Sequence, residues 1–168
     1  MSKIEQARLE YQGFLDLFQS LVLSTANPQG IPNASYAPFV VDEFHNFYIY
    51  VSGLSTHTQN LQINPQASVL FLEDEAQTQQ IFARRRLTFN CNTTFIERES
   101  EQWLKIINLF GAKFGDIIKL FRDLPDFRIF QLTPQEGRFV IGFGAAYQVN
   151  LAGETDLLPI QGKSHSQS

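Results

Sequence analysis

Three consecutive arginines, Arg84 to Arg86, head a stretch in which apolar and polar residues alternate. The odd positions of residues 87–95 are mostly apolar and the even ones are polar, and this period of two predicts a β-strand over 81–95. The same phase predicts Arg84 and Arg86 on the polar face of the strand and Arg85 with the core-facing set. Adjacent cations repel one another unless an anion lies near them.

Two kinds of anion fit this triplet. The acidic run Glu73, Asp74 and Glu75 precedes it in the chain, and a ligand carrying carboxylate or phosphate would serve equally. On sequence alone, a strand edge protected by charge against aggregation is an equally good interpretation. The triplet therefore predicts either a ligand site or a protected edge.

The other residues with chemical potential are scattered along the chain. Ser55 to Thr58, with His57 among them, open a predicted helix, where Ser55 or Thr56 is typical of an N-cap. Exposed N–H groups at such a start also bind anions, for example a flavin phosphate. Asp126 follows a proline, as turn residues do. His165 lies three residues from the C-terminus among Ser and Gln, a context typical of a tail.

Composition limits the class of protein. The chain has 168 residues, 43% of them hydrophobic and 18% charged, which predicts one globular domain over 1–168. A net charge of -4 argues against a nucleic-acid partner, because no basic surplus exists to neutralise phosphates. The single cysteine excludes an internal disulfide and a cysteine-based metal cluster. The 16 phenylalanines indicate flat apolar surfaces, either of a partner or of a ligand.

Targeting signals are absent from the pattern as well. The first residues lack the apolar core of a signal peptide, and no apolar run approaches the length that spans a membrane. The expectation is a cytoplasmic protein without a membrane partner.

The elements that must position these residues follow from periodicity. An amphipathic helix is predicted within 1–20, and a flexible, irregular tail over 151–168. A long helix over 103–121 is weakened at Gly111 and Gly115, so it is predicted to be kinked or split, and Pro125 ends it. The remaining predicted elements are a helix at 56–63 and strands at 21–25, 33–41, 44–51, 67–72, 81–95, 126–132 and 137–149. Short strands with antiparallel-type turns and flanking helices predict a mainly β (α+β) protein built on a small β-barrel.

At this point the residues resemble a known family. ASYAPFV at 34–40, the HTQNL helix start at 57–61, ARRRLTF at 83–89 and FGAAY at 143–147 are similar to the haem-utilisation branch of the pyridoxamine-phosphate-oxidase-like split barrels. The resemblance runs from about Phe14 to the tail. It implies an antiparallel split β-barrel of the FMN-binding type, and a homodimer that binds haem between its subunits.

The resemblance also implies roles for particular residues. His165 matches the axial iron ligand, Asp126 matches its hydrogen-bonding partner, and Arg86 matches the polar group on the other side of the iron, with Arg84 beside it. The chemistry suits these residue types, because a carboxylate on the second imidazole nitrogen fixes the tautomer and raises its basicity. An arginine donates strong hydrogen bonds to a developing negative charge. Arg86 and Asp126 are thus the predicted catalytic pair.

The implied activity is oxygen-dependent haem degradation, with electrons from an external donor. FMN is the alternative cofactor, and Ser55, His57 and Thr58 are its predicted binding residues. The oxidase members place a basic pair after the serine that matches Ser55, whereas this chain has Thr56 and His57. Weaker cationic contacts lower the affinity for a flavin phosphate. A haem carrier without turnover is the third interpretation.

Overall fold

The computed structural model describes residues 1–152 and 156–161. The helices within them are α1 Lys3–Phe14, α2 Thr56–Ile63, α3 Glu101–Phe114 and α4 Ile117–Arg122. The strands are β1 Ser20–Ala26, β2 Pro32–Val41, β3 Phe47–Ser52, β4 Gln66–Leu72, β5 Arg86–Ile96, β6 Phe127–Gly142, β7 Ala145–Asn150 and β8 Asp156–Pro159. No helix among these residues has the length and apolar character needed to cross a bilayer.

Six of the strands close into an antiparallel barrel in the order β1-β2-β3-β6-β5-β4, with β4 returning to β1. The long strand β6 makes closure possible. Its first part pairs with β3 and its last part with β7, while β5 follows its other edge. Pro134 has no N–H to donate, and the β5–β6 register shifts between Asn90 and Cys91 at this point. Strands β7 and β8 extend the sheet beyond the ring.

Phenylalanines fill the barrel. Phe71 lies with its ring centroid 5.1 Å from that of Phe39 and 5.3 Å from that of Phe47. The ring centroid of Phe47 in turn lies 5.5 Å from that of Phe89 in β5. Buried aromatic pairs at these distances add to the hydrophobic stabilisation of a core. Among the described residues, the exposed phenylalanines are Phe44, Phe82, Phe95 and Phe143.

Helix α1 covers the inner face of the extension. It begins with a capping box between Ser2 and Glu5, which satisfies two backbone donors. Tyr11 and Phe14 pack against Phe139 of β6 at 5.5 and 5.2 Å between ring centroids. The predicted N-terminal amphipathic helix is confirmed.

Helices α3 and α4 cover the outer face of β2, β3 and β6. Trp103 and Phe110 of α3 are buried in a second cluster with Tyr50 of β3 and Ile129 of β6. The predicted split of the long helix lies at Gly115, whose φ of 78° is accessible to glycine at little cost. The mainly β split barrel predicted from the sequence is confirmed.

Three boundaries differ from the prediction. The strand predicted over 81–95 begins only at Arg86, because residues 81–83 form a 3-10 turn. The strands predicted at 126–132 and 137–149 are instead β6, which runs through Gly137, and β7, which follows a turn at Gly144 with φ 65°. The stretch predicted as an irregular tail contains β8, held to α1 by a bidentate Arg8–Asp156 pair at 2.7 and 2.9 Å.

Gly137 lies within the continuous strand β6, at a position where neighbouring side chains approach the backbone closely. A Cβ at this position would lie 2.5 Å from Cε1 of Phe89 and 2.9 Å from Cβ of Val149. The residue is therefore glycine because two neighbouring side chains cross over it, and not because the chain turns there.

The matched substitutions Gly137→Ala and Gly142→Ala test this explanation. Gly137→Ala should lower the free energy of unfolding by about 1–3 kcal/mol, the usual cost of overpacking a core. Gly142→Ala lies on the same strand with no atom within 4 Å of the added Cβ, and it should change stability far less. Urea titrations followed by fluorescence measure both. Equal losses from the two variants would show that the close approach at Gly137 is not the reason for the glycine.

Candidate functional site

The anion beside the arginine triplet is the acidic run of the same chain. Arg85 donates through Nε to Oε1 of Glu73 at 2.8 Å and through Nη1 to Glu10 of α1 at 3.3 Å. Arg84 donates to the Glu73 carbonyl and to the Glu75 carboxylate at 3.4 Å. Burial raises the pKa of Glu73, but hydrogen bonds from the Arg85 side chain and backbone outweigh it and hold that pKa below its usual value.

The predicted phase of the triplet is confirmed for Arg85. Its guanidinium lies 5.6 Å from the ring centroid of Phe14, on the side of the core. The protected-edge interpretation is wrong, because β5 pairs with β4 on one side and β6 on the other.

Arg86 differs from its two neighbours. Its Nη1 donates to the carbonyl of Arg84 at 3.0 Å, and no carboxylate of the described residues lies within ion-pair distance of it. Two exposed rings are close to it in the chain or the sheet: Phe82, four residues earlier, is 84% exposed, and Phe143, three residues after the Val140 that pairs with Arg86, is 74% exposed. We call Arg86, Phe82 and Phe143 the arginine end. It combines an available cation with flat apolar surface.

Asp126 lies at the other end of the barrel, in a turn. Its Oδ2 accepts from the Ser52 hydroxyl at 3.1 Å, and its carbonyl accepts from the Gly53 N–H at 2.8 Å. Leu54, next in the chain, is 83% exposed. We call Ser52, Gly53, Asp126 and Arg128 the aspartate end. Its carboxylate keeps one oxygen free of described partners.

Arg128 is a residue that the sequence interpretation missed. It pairs with Val51, which is buried in the barrel, so it lies in the phase of the core residues Phe130 and Leu132. Its guanidinium carbon would be 3.4 Å from a Cβ at Gly53. The signal in the sequence is a charged residue at an apolar-phase position two residues after Asp126.

Helix α2 closes the aspartate end of the barrel, and its polar side chains contact the neighbouring strands. Thr58 is fully buried and donates to the Ser52 carbonyl at 2.6 Å, and the Asn60 amide donates to Thr25 at 3.0 Å. Nδ1 of His57 lies 2.9 Å from the Ser35 hydroxyl, and burial lowers the pKa of His57. Thr58 thus faces the interior and offers no surface to a ligand, and His57 favours its neutral form.

Ser55 occupies the N-cap position of α2 as predicted. Its side chain makes no capping hydrogen bond, so the first N–H groups of the helix have no side-chain acceptor there. The predicted binding role of Ser55 and His57 stays a prediction.

The two ends are far apart within one chain. Arg86 and Ile96 are the first and last residues of the 11-residue strand β5, and Ile96 pairs with Ile129, three residues after Asp126. A strand rises about 3.3 Å per residue, which separates the ends by about 30 Å. The structure therefore does not bring Arg86 and Asp126 together in one subunit. His165 lies outside the described residues.

A closed six-stranded antiparallel barrel with helices on its rims defines the class as a split-barrel protein. A family model described as pyridoxamine 5'-phosphate oxidase matches residues 8–141. The chain belongs to the pyridoxamine 5'-phosphate oxidase family.

Individual proteins are also similar to this chain over most of its length. The chain is 44% identical over 147 residues to "Heme oxygenase HutZ" of Vibrio cholerae serotype O1, covering 86% of this chain and 83% of that protein. A crystal structure of HutZ, described as a heme storage protein, superimposes with a TM-score of 0.77 at 38% identity over 82% of this chain and 97% of the other. Campylobacter jejuni ChuZ gives a TM-score of 0.83 at 33% identity, over 100% of this chain and 68% of the other. The resemblance stated from the sequence is confirmed.

The lowered pKa of His57 predicts a pH dependence of stability. Between its folded pKa and the ordinary value of 6.5, the unfolded chain binds a proton that the folded protein does not. This contribution is present above about pH 6.5 and is lost as pH falls through the folded pKa. The free energy of unfolding should thus fall more between about pH 7.5 and about pH 5.5 in the wild type than in His57→Gln. Equal falls in both proteins would show that folding does not lower the pKa of His57.

Proposed function

We propose that this protein, as a single domain over 1–168, binds haem between two subunits and degrades it with oxygen and an external reductant. The names of its relatives support haem as the ligand. They differ on turnover, since HutZ is named both a heme oxygenase and a heme storage protein. The residues of this chain must therefore carry the case for catalysis.

One observation carries the proposal: the two predicted catalytic residues lie at opposite ends of one barrel. A ligand that contacts both Arg86 and Asp126 must therefore contact two subunits. A two-fold pair that sets the arginine end of one subunit against the aspartate end of the other would form two such sites. If Arg86 and Asp126 share one ligand, as the resemblance implies, their separation supports a homodimer.

We propose that His165 belongs to the arginine end, because the last described residue with a backbone contact, Ile160, lies close enough to it. Arg86 pairs with Val140, Val140 with Ala146, and the Ile160 N–H donates to the Ala146 carbonyl at 2.9 Å. Three strand spacings separate Ile160 from Arg86, about 14 Å. The five residues from Ile160 to His165 span at most about 18 Å. The length of the chain therefore permits contact between His165 and the Arg86 of its own subunit but not its own Asp126, so in the proposed site His165 pairs with the Asp126 of the partner subunit.

The described residues fit a haem at both ends. Phe82 and Phe143 offer flat apolar surface beside Arg86, and Leu54 offers apolar surface beside Asp126. Haem supplies the redox chemistry of its iron when bound. In the proposed site Asp126 would accept a hydrogen bond from the His165 imidazole and fix its tautomer. Arg86 has guanidinium donors left over for negative charge that develops during the reaction, while Glu73 and Glu75 hold Arg85 and Arg84.

The outer face of the barrel supports association of two copies. Val22 of β1 pairs with Tyr36 of β2 and with Leu70 of β4, which places these apolar side chains side by side. Tyr36 is 68% exposed and Val22 is 41% exposed. A dimer that covers this row and the two ends should bury well over the roughly 800 Å² of a crystal contact.

FMN binding is the second candidate, and one observation favours it. The N–H groups at the start of α2 have no side-chain cap, as an anion site requires. Against it, the lowered pKa of His57 leaves no cation where the oxidases place a basic pair. Haem remains the better-supported ligand.

Titration with hemin followed by ascorbate in air tests the proposal. A Soret band that forms and then decays indicates the enzyme, a stable band indicates a carrier, and yellow purified protein without a band indicates flavin. Arg86→Ala should keep haem affinity within about tenfold and slow the decay roughly a hundredfold, because its donors act on developing charge. Arg85→Gln is the control: it should lower the unfolding midpoint and leave the decay unchanged. The reverse pattern would remove Arg86 from the site.

A mixed dimer tests the subunit assignment. One chain carries His165→Ala with Arg86→Ala, and the other carries Asp126→Asn. If His165 and Arg86 act from one subunit and Asp126 from the other, one of the two sites per mixed dimer is intact. About half of the sites should then show the wild-type spectrum and turnover, although neither parent homodimer does. A mixed dimer without any wild-type signal would overturn this assignment of the three residues to the two subunits.

A further inference from the structure

The contacts of Arg128 with the described residues do not explain its positive charge. The guanidinium has no hydrogen-bond acceptor and no carboxylate within 4 Å among the described residues. The other arginines of this region are engaged, since Arg98 donates to the carbonyls of Leu124 and Arg122, and Arg122 lies 3.7 Å from Glu99. Arg128 is therefore the unpaired cation of the aspartate end.

Arg128 occupies an unusual position for a charge. It is half-buried at an apolar-phase position of β6, beside buried Val51, and its guanidinium nitrogens still reach solvent. A partly buried cation gives up some hydration, and an anion that approaches it recovers the loss. The guanidinium is therefore accessible to an anion from outside the chain.

Gly53 lets the backbone after β3 approach the Arg128 guanidinium closely. A Cβ there would meet the Asp126 carbonyl at 2.9 Å and the Arg128 guanidinium carbon at 3.4 Å. The absence of that Cβ lets the turn carrying Asp126 and the guanidinium of Arg128 lie together on one side of the barrel mouth. Exposed Leu54 borders the same spot.

We propose that Arg128 binds a propionate carboxylate of the tetrapyrrole whose axial histidine Asp126 orients. This inference rests on the proposed function and adds a specificity-determining residue to the same site. The planar guanidinium binds a carboxylate through two parallel hydrogen bonds, and such charge-assisted pairs are the strong ones. Leu54 covers apolar macrocycle surface beside them. Arg128 thus selects tetrapyrroles with free carboxylates, while Asp126 acts on the histidine.

The test compares hemin with hemin dimethyl ester, which has the same macrocycle and iron without the two carboxylates. Spectroscopic titration should give the wild type a preference for hemin of roughly tenfold, equivalent to about 1.4 kcal/mol. Arg128→Gln should bind hemin about tenfold more weakly and should bind the ester as the wild type does. Lys119→Gln removes the same charge from an exposed position on α4 and should keep the preference.

Each outcome has one meaning. If Arg128→Gln keeps the full preference for hemin over the ester, the inference is wrong and the proposed function stands. If the wild type binds neither compound, the proposed function fails with it. Parallel titrations with FMN and riboflavin test whether the guanidinium binds a phosphate instead, because only FMN carries one. If Arg128→Gln loses only a preference for FMN over riboflavin, the guanidinium serves a phosphate, and the inference is overturned in favour of flavin.

Discussion

The pairing of one long strand with three partners determines where the chemistry lies. Strand β6 leaves β3 and passes to β7 while β5 follows its other edge. The barrel closes through the first half of β6, and the second half projects beyond the ring to carry β7 and β8. Because β5 and β6 are antiparallel, the start of β5 meets the end of β6. Arg86 and Asp126 are forced to opposite ends by this single constraint, and a shared ligand then requires two subunits.

Ion pairs with the acidic run engage Arg84 and Arg85 and leave Arg86 without a carboxylate partner among the described residues. Glu73 is the least exposed carboxylate of the acidic run, with a side chain only 10% exposed, and it binds Arg85 through its carboxylate and Arg84 through its carbonyl. These contacts fix the backbone of Arg84, whose carbonyl accepts from Arg86. The run that neutralises two cations thus orients the third, and Arg86 keeps donors for a ligand. The repulsion expected within the triplet is relieved internally, so the ligand is not needed for stability.

The sequence pattern predicted the features that residues close together in the chain determine. The period of two gave the phase of Arg85, the two glycines gave the split at Gly115, and the acidic run gave the partners of Arg84 and Arg85. The pattern failed where distant packing decides. The break predicted between residues 132 and 137 does not exist, and Gly137 is glycine because Phe89 and Val149 cross over it. The arginine triplet suggested an edge because a single strand does not reveal its neighbours. Arg128 escaped notice because its surroundings include Gly53, in the turn after β3, and β3 is distant in sequence from its partner strand β6.

A site divided between subunits couples haem to assembly. A ligand that contacts the arginine end of one subunit and the aspartate end of the other binds the dimer and not the monomer. By mass action such a ligand stabilises the dimer as its concentration rises above the dissociation constant. In the proposed site, the residues that would hold the macrocycle, Asp126 through the histidine and Arg128 through a carboxylate, are separate from Arg86, which would act on charge that appears during reaction. A protein of this kind that lost only the role of Arg86 would still bind haem, so storage and turnover are separable within the proposed site.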